Sequence, residues 1–383
     1  MYHVTCHNIL VKIMIETVAI FVFVFVGSLF GTFLLIQYFF KSDKTLPGPA
    51  IEITKSFSIN KSPTTQLSTV SAQLHPLTSL DQVDLQQKIE GDFTSVLVTG
   101  DVLLARSVNA KMTQMNDFRW PFLLTNEKLQ EADITFVNLE TPLVTNCPVK
   151  SDGMIFCGDP RSVDGLLYAG VDVVNFANNH AGNWEKEGIA ETVQLLQDSN
   201  IEVTGINQFA VKSVNGIKFA FLGFNEVNSQ SGVPDLSEDL VSAKVREARS
   251  VADVVIVQFH WGAEYTYSPT ANQVRWAHYA VNAGADVVVG NHPHWWQPLE
   301  FYKDKLIVYS HGNFVFDQMW SMETRIGIVG EYFFQEKKLV DFKIHPIRID
   351  NYGQPVWLDG KEKLDVLNSF INKSVELENT NSY

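Results

Sequence analysis

Apolar and polar residues fall in alternating blocks from about residue 93 onward, and these blocks predict strands and helices in turn. Short continuous apolar runs predict buried strands at 95–100, 134–140, 171–179, 217–224, 252–261, 285–291 and 305–313. Helical patterns lie between several of them, at 185–200, 237–251 and 270–284. Two late segments, 328–335 and 339–348, predict strands without an intervening helix. The alternation indicates an α/β domain over 93–365, followed by a C-terminal tail at 366–383.

The N-terminal part has a different pattern. Residues 17–40 form an uncharged apolar run whose length matches a helix that crosses a bilayer. The run is too long for a standard cleaved signal peptide and lacks a small-residue cleavage site, so it predicts an uncleaved transmembrane signal anchor after a short segment, 1–16. Residues 41–92 are rich in Ser, Thr, Pro and Gln, which is typical of a flexible linker.

Two features of the sequence predict opposite sides of the membrane for the domain. Lys41 and Lys44 follow the apolar run while Lys12 precedes it, which slightly favours a cytoplasmic domain. Cys147 and Cys157 lie close together in a loop-like segment, and a local disulfide between them would imply an oxidising compartment. Two unpaired thiols are the alternative.

The formal net charge of −14 argues against nucleic acid as a partner. Because the chain is so acidic, a polyanionic substrate would need bound cations or a local basic patch in order to bind.

Five of the predicted strands are each followed by a carboxylate, an amide or an imidazole. These residues are Asp101, Glu140, Asn178, Asn179, His180, His260, Glu264, His292 and His294. Singly, each has a structural explanation as a turn residue or a core histidine. Because ligands of open α/β sheets bind at the carboxyl ends of the strands, the set predicts a site for one or two divalent metal ions. Two such ions can clamp a phosphoryl or carbonyl group and activate water.

The order of these motifs also carries a resemblance. GD, NLE, NNH, HWG, GxHPH and GNF, spread over 95–318, resemble the CapA family of capsule or poly-γ-glutamate biosynthesis proteins. The stretch "AGADVVVGNHPHWWQPLEFYKDKLIVYSHGNFVFDQ" is especially similar to that family. The family is similar to calcineurin-like metallophosphoesterases, so the resemblance implies a four-layer α/β/β/α sandwich preceded by one transmembrane helix.

The resemblance also implies roles for single residues. The metal ligands it implies, for Mn, Zn, Fe or Mg, are Asp101, Glu140, Asn179, His260, His292 and His294. His180 corresponds to a catalytic histidine that acts as an acid or orients the substrate. Glu264, Asn178 and Asn313 belong to motifs that imply substrate contact.

Two positions depart from the expected pattern. Leu103 stands where a typical metallophosphoesterase has the histidine of its first motif, so one metal position lacks an imidazole. His311 stands where the family more often has leucine, which predicts either an extra ligand or a loop histidine that faces solvent.

The resemblance implies a single-pass protein of the cell membrane with an extracytoplasmic domain. It would act in the synthesis or export of an anionic capsule polymer, poly-γ-glutamate, beside other membrane subunits of a capsule synthase. Two alternatives stay open: a general metal-dependent phosphoesterase of the cell envelope, and a non-catalytic, metal-stabilised subunit that binds the polymer. The residues alone do not choose between cleavage of a phosphoester and cleavage of an amide.

Overall fold

The predicted alternation of strands and helices is present in the computed structural model, which describes residues 91–228 and 230–381. The strands in this part of the chain are β1 (Thr94–Val102), β2 (Ile134–Leu139), β3 (Val173–Asn175), β4 (Glu202–Thr204), β5 (Ala210–Val214), β6 (Ile217–Asn225), β7 (Val254–His260), β8 (Val287–Asn291), β9 (Trp296–Tyr302), β10 (Lys305–His311), β11 (Asn313–Val315), β12 (Ile326–Gln335), β13 (Lys338–Asp350) and β14 (Gln354–Trp357). The helices are α1 (Arg106–Met115), α2 (Asn126–Glu131), α3 (Val163–Tyr168), α4 (Glu185–Asp198), α5 (Glu238–Val251), α6 (Ala271–Ala283), α7 (Met322–Arg325) and α8 (Gly360–Asn381).

The strands form two sheets. The first sheet has the order β14-β13-β12-β1-β2-β3-β4, with β11 also paired to β1. Its half from β1 to β4 is parallel, whereas β12, β13 and β14 are antiparallel to their neighbours. The second sheet has the order β5-β6-β7-β8-β10-β9, with a parallel centre and antiparallel edges. The expected mixed α/β class, with two sheets, is confirmed.

Side-chain alternation along β1 shows how the layers pack. Val96 and Val98 belong to an apolar cluster between the two sheets, while Leu97 belongs to a cluster on the outer face of the first sheet. In the inner cluster Phe136 of the first sheet contacts Phe221 of the second, with ring centroids 5.0 Å apart. Helices α1 and α4 cover the outer face of the first sheet, and α5 and α6 cover that of the second. Helices therefore enclose a pair of facing sheets.

Helix α8 closes one edge of this pair of sheets. Leu367 and Phe370 insert into the inner cluster, and the Phe370 ring lies 5.8 Å from that of Trp296 on β9. The boundary expected at residue 365 falls inside this helix. The described part of the expected tail is therefore a packed part of the domain, because its buried residues recur at helical spacing on one face.

The predicted anchor at 17–40, the segment 1–16 and nearly all of the linker at 41–92 lie outside the described residues. Across 91–228 and 230–381, no helix has both the length and the apolar character needed to cross a membrane. The anchor stays a prediction.

Candidate metal centre

The side chains predicted to bind metal meet where strands of both sheets end. Strands β1, β2 and β3 of the first sheet and β7 and β8 of the second deliver them to one place. The predicted ligands there are Asp101, Glu140, Asn179, His260, His292 and His294, and the predicted catalytic residue His180 lies beside them. The site is therefore built from two facing sheets.

The Asp101 carboxylate is held by neutral donors. Its Oδ1 accepts hydrogen bonds from Nδ2 of Asn138, at 2.8 Å, and from Nδ2 of Asn291, at 2.9 Å. Its Oδ2 accepts from the backbone N–H of His292, at 3.3 Å. The two asparagines lie on β2 and β8, so both sheets fix this carboxylate. Both asparagines belong to the motifs NLE and GNHPH, but no local pattern indicates this role for them.

Glu140 lies directly after β2 and is fully buried. Within the described residues neither of its carboxylate oxygens has a hydrogen-bond partner. Oε1 lies 3.8 Å from Nε2 of His180 and 3.9 Å from Nε2 of His260. Burial raises the pKa of Glu140 well above its usual range, and the nearby carboxylates of Asp101 and Glu264 raise it further. A buried carboxylate without donors needs a proton or a cation, so this atom set fits a metal ion.

His260 and His292 are suited to ligation as neutral imidazoles. Nε2 of His260 lies 2.8 Å from Oδ1 of Asn179, and Nδ1 of His292 is buried without a partner in the described part of the chain. Burial lowers the pKa of His260 well below its usual value and lowers that of His292 to about 3, and the neighbouring imidazole of His294 contributes to both shifts. Neutral imidazoles are the form that binds a metal.

His294 lies between two groups of possible ligands. Its Nδ1 is 2.9 Å from Oδ1 of Asn313 and 3.3 Å from Oδ2 of Asp101. Asp101, Glu140 and His294 form one group, and Glu264, His292 and His294 form the other, with the ligand atoms of each group within 4.8 Å of one another. Oε1 of Glu264 is 4.0 Å from Nε2 of His294, and this glutamate side chain is 39% exposed, so it lies at the mouth of the site.

Two residues expected to contact substrate are buried instead. Nδ2 of Asn178 donates to the carbonyl of Leu139, and its Oδ1 accepts from the N–H of His180. Nδ2 of Asn313 donates to the carbonyl of Thr324, while its Oδ1 faces His294. Both asparagines are fully buried, so they hold site histidines in place and are not open to a substrate.

His180 is oriented by a neighbouring loop. Its Nδ1 lies 3.0 Å from Oδ1 of Asn183, which also accepts the N–H of Phe156 at 2.7 Å. The Phe156 ring stacks on the imidazole with the centroids 3.8 Å apart. Cys147 and Cys157 form a disulfide that closes this loop, so the disulfide alternative holds and the thiols are not free. Burial lowers the pKa of His180 to about 4.

The two departures from the expected pattern lie in the interior. Leu103 is fully buried in the apolar cluster on the outer face of the first sheet. His311 is also fully buried, with Nδ1 3.3 Å from the carbonyl of Gly290 and Nε2 3.0 Å from the hydroxyl of Tyr332. Because both of its nitrogens have protein partners, His311 is a core histidine. It neither faces solvent nor offers a free nitrogen to a metal.

Comparison with known proteins finds sequence similarity to capsule biosynthesis proteins. The sequence model of the family described as "Bacterial capsule synthesis protein PGA_cap" matches residues 95–318. The PGA biosynthesis protein CapA of Bacillus subtilis (strain 168) is 31% identical over 276 residues, which cover 67% of this chain and 72% of the relative. The capsule biosynthesis protein CapA of Bacillus anthracis is 27% identical over 289 residues, 70% of each chain.

Among solved structures, a novel phosphatase of Mycoplasma pneumoniae superposes with a TM-score of 0.45 and 12% identity, over 72% of this chain and 97% of the phosphatase chain. That likeness is too low to carry an argument about function.

Proposed function

The chain belongs to the family of bacterial capsule synthesis proteins PGA_cap, and from that premise we propose that it acts in the synthesis or export of poly-γ-glutamate through a metal-dependent hydrolase site. The names of the two Bacillus relatives support the polymer and its pathway. The buried ligand set supports the metal.

The observation that carries the proposal is the absence of donors around Glu140. Both of its oxygens and Nδ1 of His292 are buried without partners among the described residues. Leaving such groups unpaired costs a folded protein about 1–3 kcal/mol each, and more for a charged group. Divalent cations would satisfy these groups. Asp101, Glu140 and His294 form one set of possible ligands, and Glu264, His292 and His294 form another, which gives room for one or two ions. Asn179 and His260 lie beside Glu140 and would complete the ligand shell.

The chain's own residues would perform the remaining steps. Bound divalent ions would supply Lewis-acid polarisation of a carbonyl or phosphoryl oxygen. Oδ1 of Asn183 accepts the N–H at Nδ1 of His180, which leaves Nε2 facing Glu140 as the atom that takes or gives a proton at the reacting group. Phe156 covers one face of the imidazole and excludes water from that side.

The location is also a proposal. The disulfide between Cys147 and Cys157 supports an oxidising, extracytoplasmic compartment for the domain. An anchor at 17–40 and a linker over 41–92 would keep the domain near the membrane. Other membrane subunits of a capsule synthase are the partners that follow from this location.

Leu103 favours a second candidate, a non-catalytic subunit that binds the polymer. The first strand of the site supplies Asp101 but no imidazole two residues later, because Leu103 is directed into the apolar core. One metal position then has fewer soft ligands and holds an oxygen-preferring ion or none. Such a site would stabilise the fold and bind polymer without turnover.

A single set of measurements separates these functions. The full chain, purified in detergent, is analysed for metal by mass spectrometry beside the double variant His292→Ala/His294→Ala. Both samples are then assayed on poly-γ-glutamate and on an aryl phosphate. We expect the wild type to contain stoichiometric metal and to cleave the polymer in a metal-dependent way. We expect the double variant to lack the metal. Cleavage of the aryl phosphate without cleavage of poly-γ-glutamate would show that the substrate is a phosphoester and not the polymer. Folded wild-type chain that binds no metal after incubation with Mn or Zn would overturn the hydrolase.

A further inference from the structure

Arg106 is a cationic side chain beside the metal ligands for which the sequence offered no role. It begins α1, four residues after the end of β1, and has a positive φ of 47°. Its guanidinium carbon lies 4.7 Å from the ring centroid of Phe156 and 5.6 Å from that of Phe316. Guanidinium groups stack favourably on aromatic rings, so the two phenylalanines fix the position of this charge.

The same two rings contact two histidines of the site. Phe156 stacks on His180 at 3.8 Å between centroids, and Phe316 meets His294 edge to face at 4.8 Å. One phenylalanine ring therefore links the guanidinium to the candidate catalytic histidine, and another links it to a candidate metal ligand.

The guanidinium has unused hydrogen-bonding capacity. Nη2 donates to Oδ1 of Asp317, whose other oxygen accepts from the N–H of Ser107 at 3.1 Å. Nε is buried, and no acceptor for it exists in the described part of the chain. Because arginine carries five N–H donors in a planar fork, the pair with Asp317 leaves donors for a second oxyanion.

We propose that Arg106 binds an oxyanion of the substrate, a carboxylate or a phosphoryl group, beside the metal ligands. The identification of that group as a carboxylate of poly-γ-glutamate rests on the proposed function. In a γ-linked polymer the carbon bonded to each amide nitrogen carries a free carboxylate, so a cation next to the reacting amide has an anion to bind. On a chain with a net charge of −14, such a local cation is what a polyanion requires.

The competing explanation is a purely structural salt bridge between Arg106 and Asp317. Two substitutions separate the explanations, because both remove the salt bridge and only one removes the cation. Arg106→Gln eliminates the charge, whereas Asp317→Asn keeps the guanidinium and frees it. Arg161→Gln is a matched control, since Arg161 also stacks on a phenylalanine ring, at 4.4 Å, and pairs with an aspartate.

The test measures binding by calorimetry to the full chain in detergent, with metal content and thermal unfolding recorded for each variant. The probes are a γ-linked glutamate oligomer, the same oligomer with its free carboxylates amidated, and inorganic phosphate. We expect Arg106→Gln to weaken binding of the acidic oligomer roughly 10- to 100-fold, the amidated oligomer to bind equally weakly to both chains, and metal content to stay unchanged. Asp317→Asn and Arg161→Gln should retain binding.

Each other outcome decides the question. If phosphate binds in a way that depends on Arg106 and the oligomer does not bind, the oxyanion site is supported and poly-γ-glutamate is excluded as its ligand. Unchanged oligomer binding by a folded Arg106→Gln chain, or equal losses in Arg106→Gln and Asp317→Asn, overturns the proposal. Binding of neither anion by the wild type also overturns it. If Arg106→Gln does not fold, Arg106→Met keeps an apolar stem against the two rings without the charge, and unaltered affinity for the acidic oligomer in that variant overturns the proposal.

Discussion

The ring of Phe156 lies 3.8 Å from the imidazole of His180, nearly parallel to it, and a disulfide at the next residue closes the loop that holds it there. The backbone N–H of Phe156 and Nδ1 of His180 also share one acceptor, Oδ1 of Asn183. The loop closed by the disulfide and Asn183 therefore together determine how the candidate catalytic histidine is oriented.

Removal of the disulfide should weaken both the fold and the site. The bond joins residues ten positions apart, and closing a loop of that size stabilises a protein by about 2–3 kcal/mol. We expect Cys147→Ser/Cys157→Ser to lower the free energy of unfolding by about that amount. Turnover of whichever substrate is cleaved should fall while metal content stays constant. Equal turnover at full metal occupancy would show that the loop does not position His180.

Glu140→Gln should change the free energy of unfolding in opposite directions with and without metal. In the stripped chain, burial raises the pKa of Glu140, so its contribution to stability is present at low pH and is lost as pH rises through the folded value. The glutamine variant avoids that loss. We expect it to be more stable than the stripped wild type by about 1–3 kcal/mol at neutral pH, with a difference that grows with pH.

Added Mn or Zn should reverse this order, because only the wild type keeps the carboxylate ligand. Chemical denaturation with and without chelator measures both differences. Glu202→Gln, at an exposed residue of the edge strand β4, is the control and should leave stability unchanged both with and without metal. A stripped Glu140→Gln chain less stable than the stripped wild type would contradict a donor-free site.

Asn313 should control metal affinity through His294. Its Oδ1 lies 2.9 Å from Nδ1 of that histidine and orients the ring. We expect Asn313→Ala to weaken metal binding by about 10- to 100-fold, as is typical when the partner of a ligating histidine is lost. Asn313→Asp restores an acceptor and should recover most of the affinity in a competition titration with a chelator. If alanine and aspartate weaken binding equally, orientation of His294 is not the cause.

His311 should make the fold sensitive to acid. Burial lowers its pKa to about 4 from an ordinary value of 6.5, so the folded chain keeps it neutral. Between these values the unfolded chain binds one more proton, and the free energy of unfolding falls as pH drops from about 6.5 towards about 4, by on the order of 3 kcal/mol in full. His311→Leu should reduce the slope of stability against pH by that amount, while the other buried histidines of lowered pKa keep their share.

Denaturation of the wild type and His311→Leu at pH 7 and pH 5 measures the difference. Tyr332→Phe is the matched control: it removes the hydroxyl 3.0 Å from Nε2 but keeps the titrating imidazole, so its pH dependence should follow the wild type. A leucine variant with the wild-type slope would assign the acid sensitivity to other groups.

Several elements were not visible in the local pattern. The stretch after the HPH motif, which contains Pro298, was not among the predicted strands, yet β9 accommodates this proline because it is an edge strand with a strand neighbour on one side. The predicted tail at 366–383 overlaps helix α8. The apolar face of this helix is stabilised only by burial against the inner cluster, where Phe370 packs on Trp296. The contacts of Arg106 join residues as far apart as 156 and 317, which no local spacing encodes.

By itself the sequence determined the buried strands and the identity of the polar residues at their ends, because hydrophobic periodicity and strand termini are local properties of the chain. Asp101, Glu140, His260 and His292 could therefore be named as a set from their positions alone. Only the tertiary structure decided that this set spans two sheets, that the asparagines mainly position other groups, and that His311 belongs to the core. Those outcomes depend on which distant groups share a hydrogen bond or exclude water, and they are decided when the two sheets pack face to face.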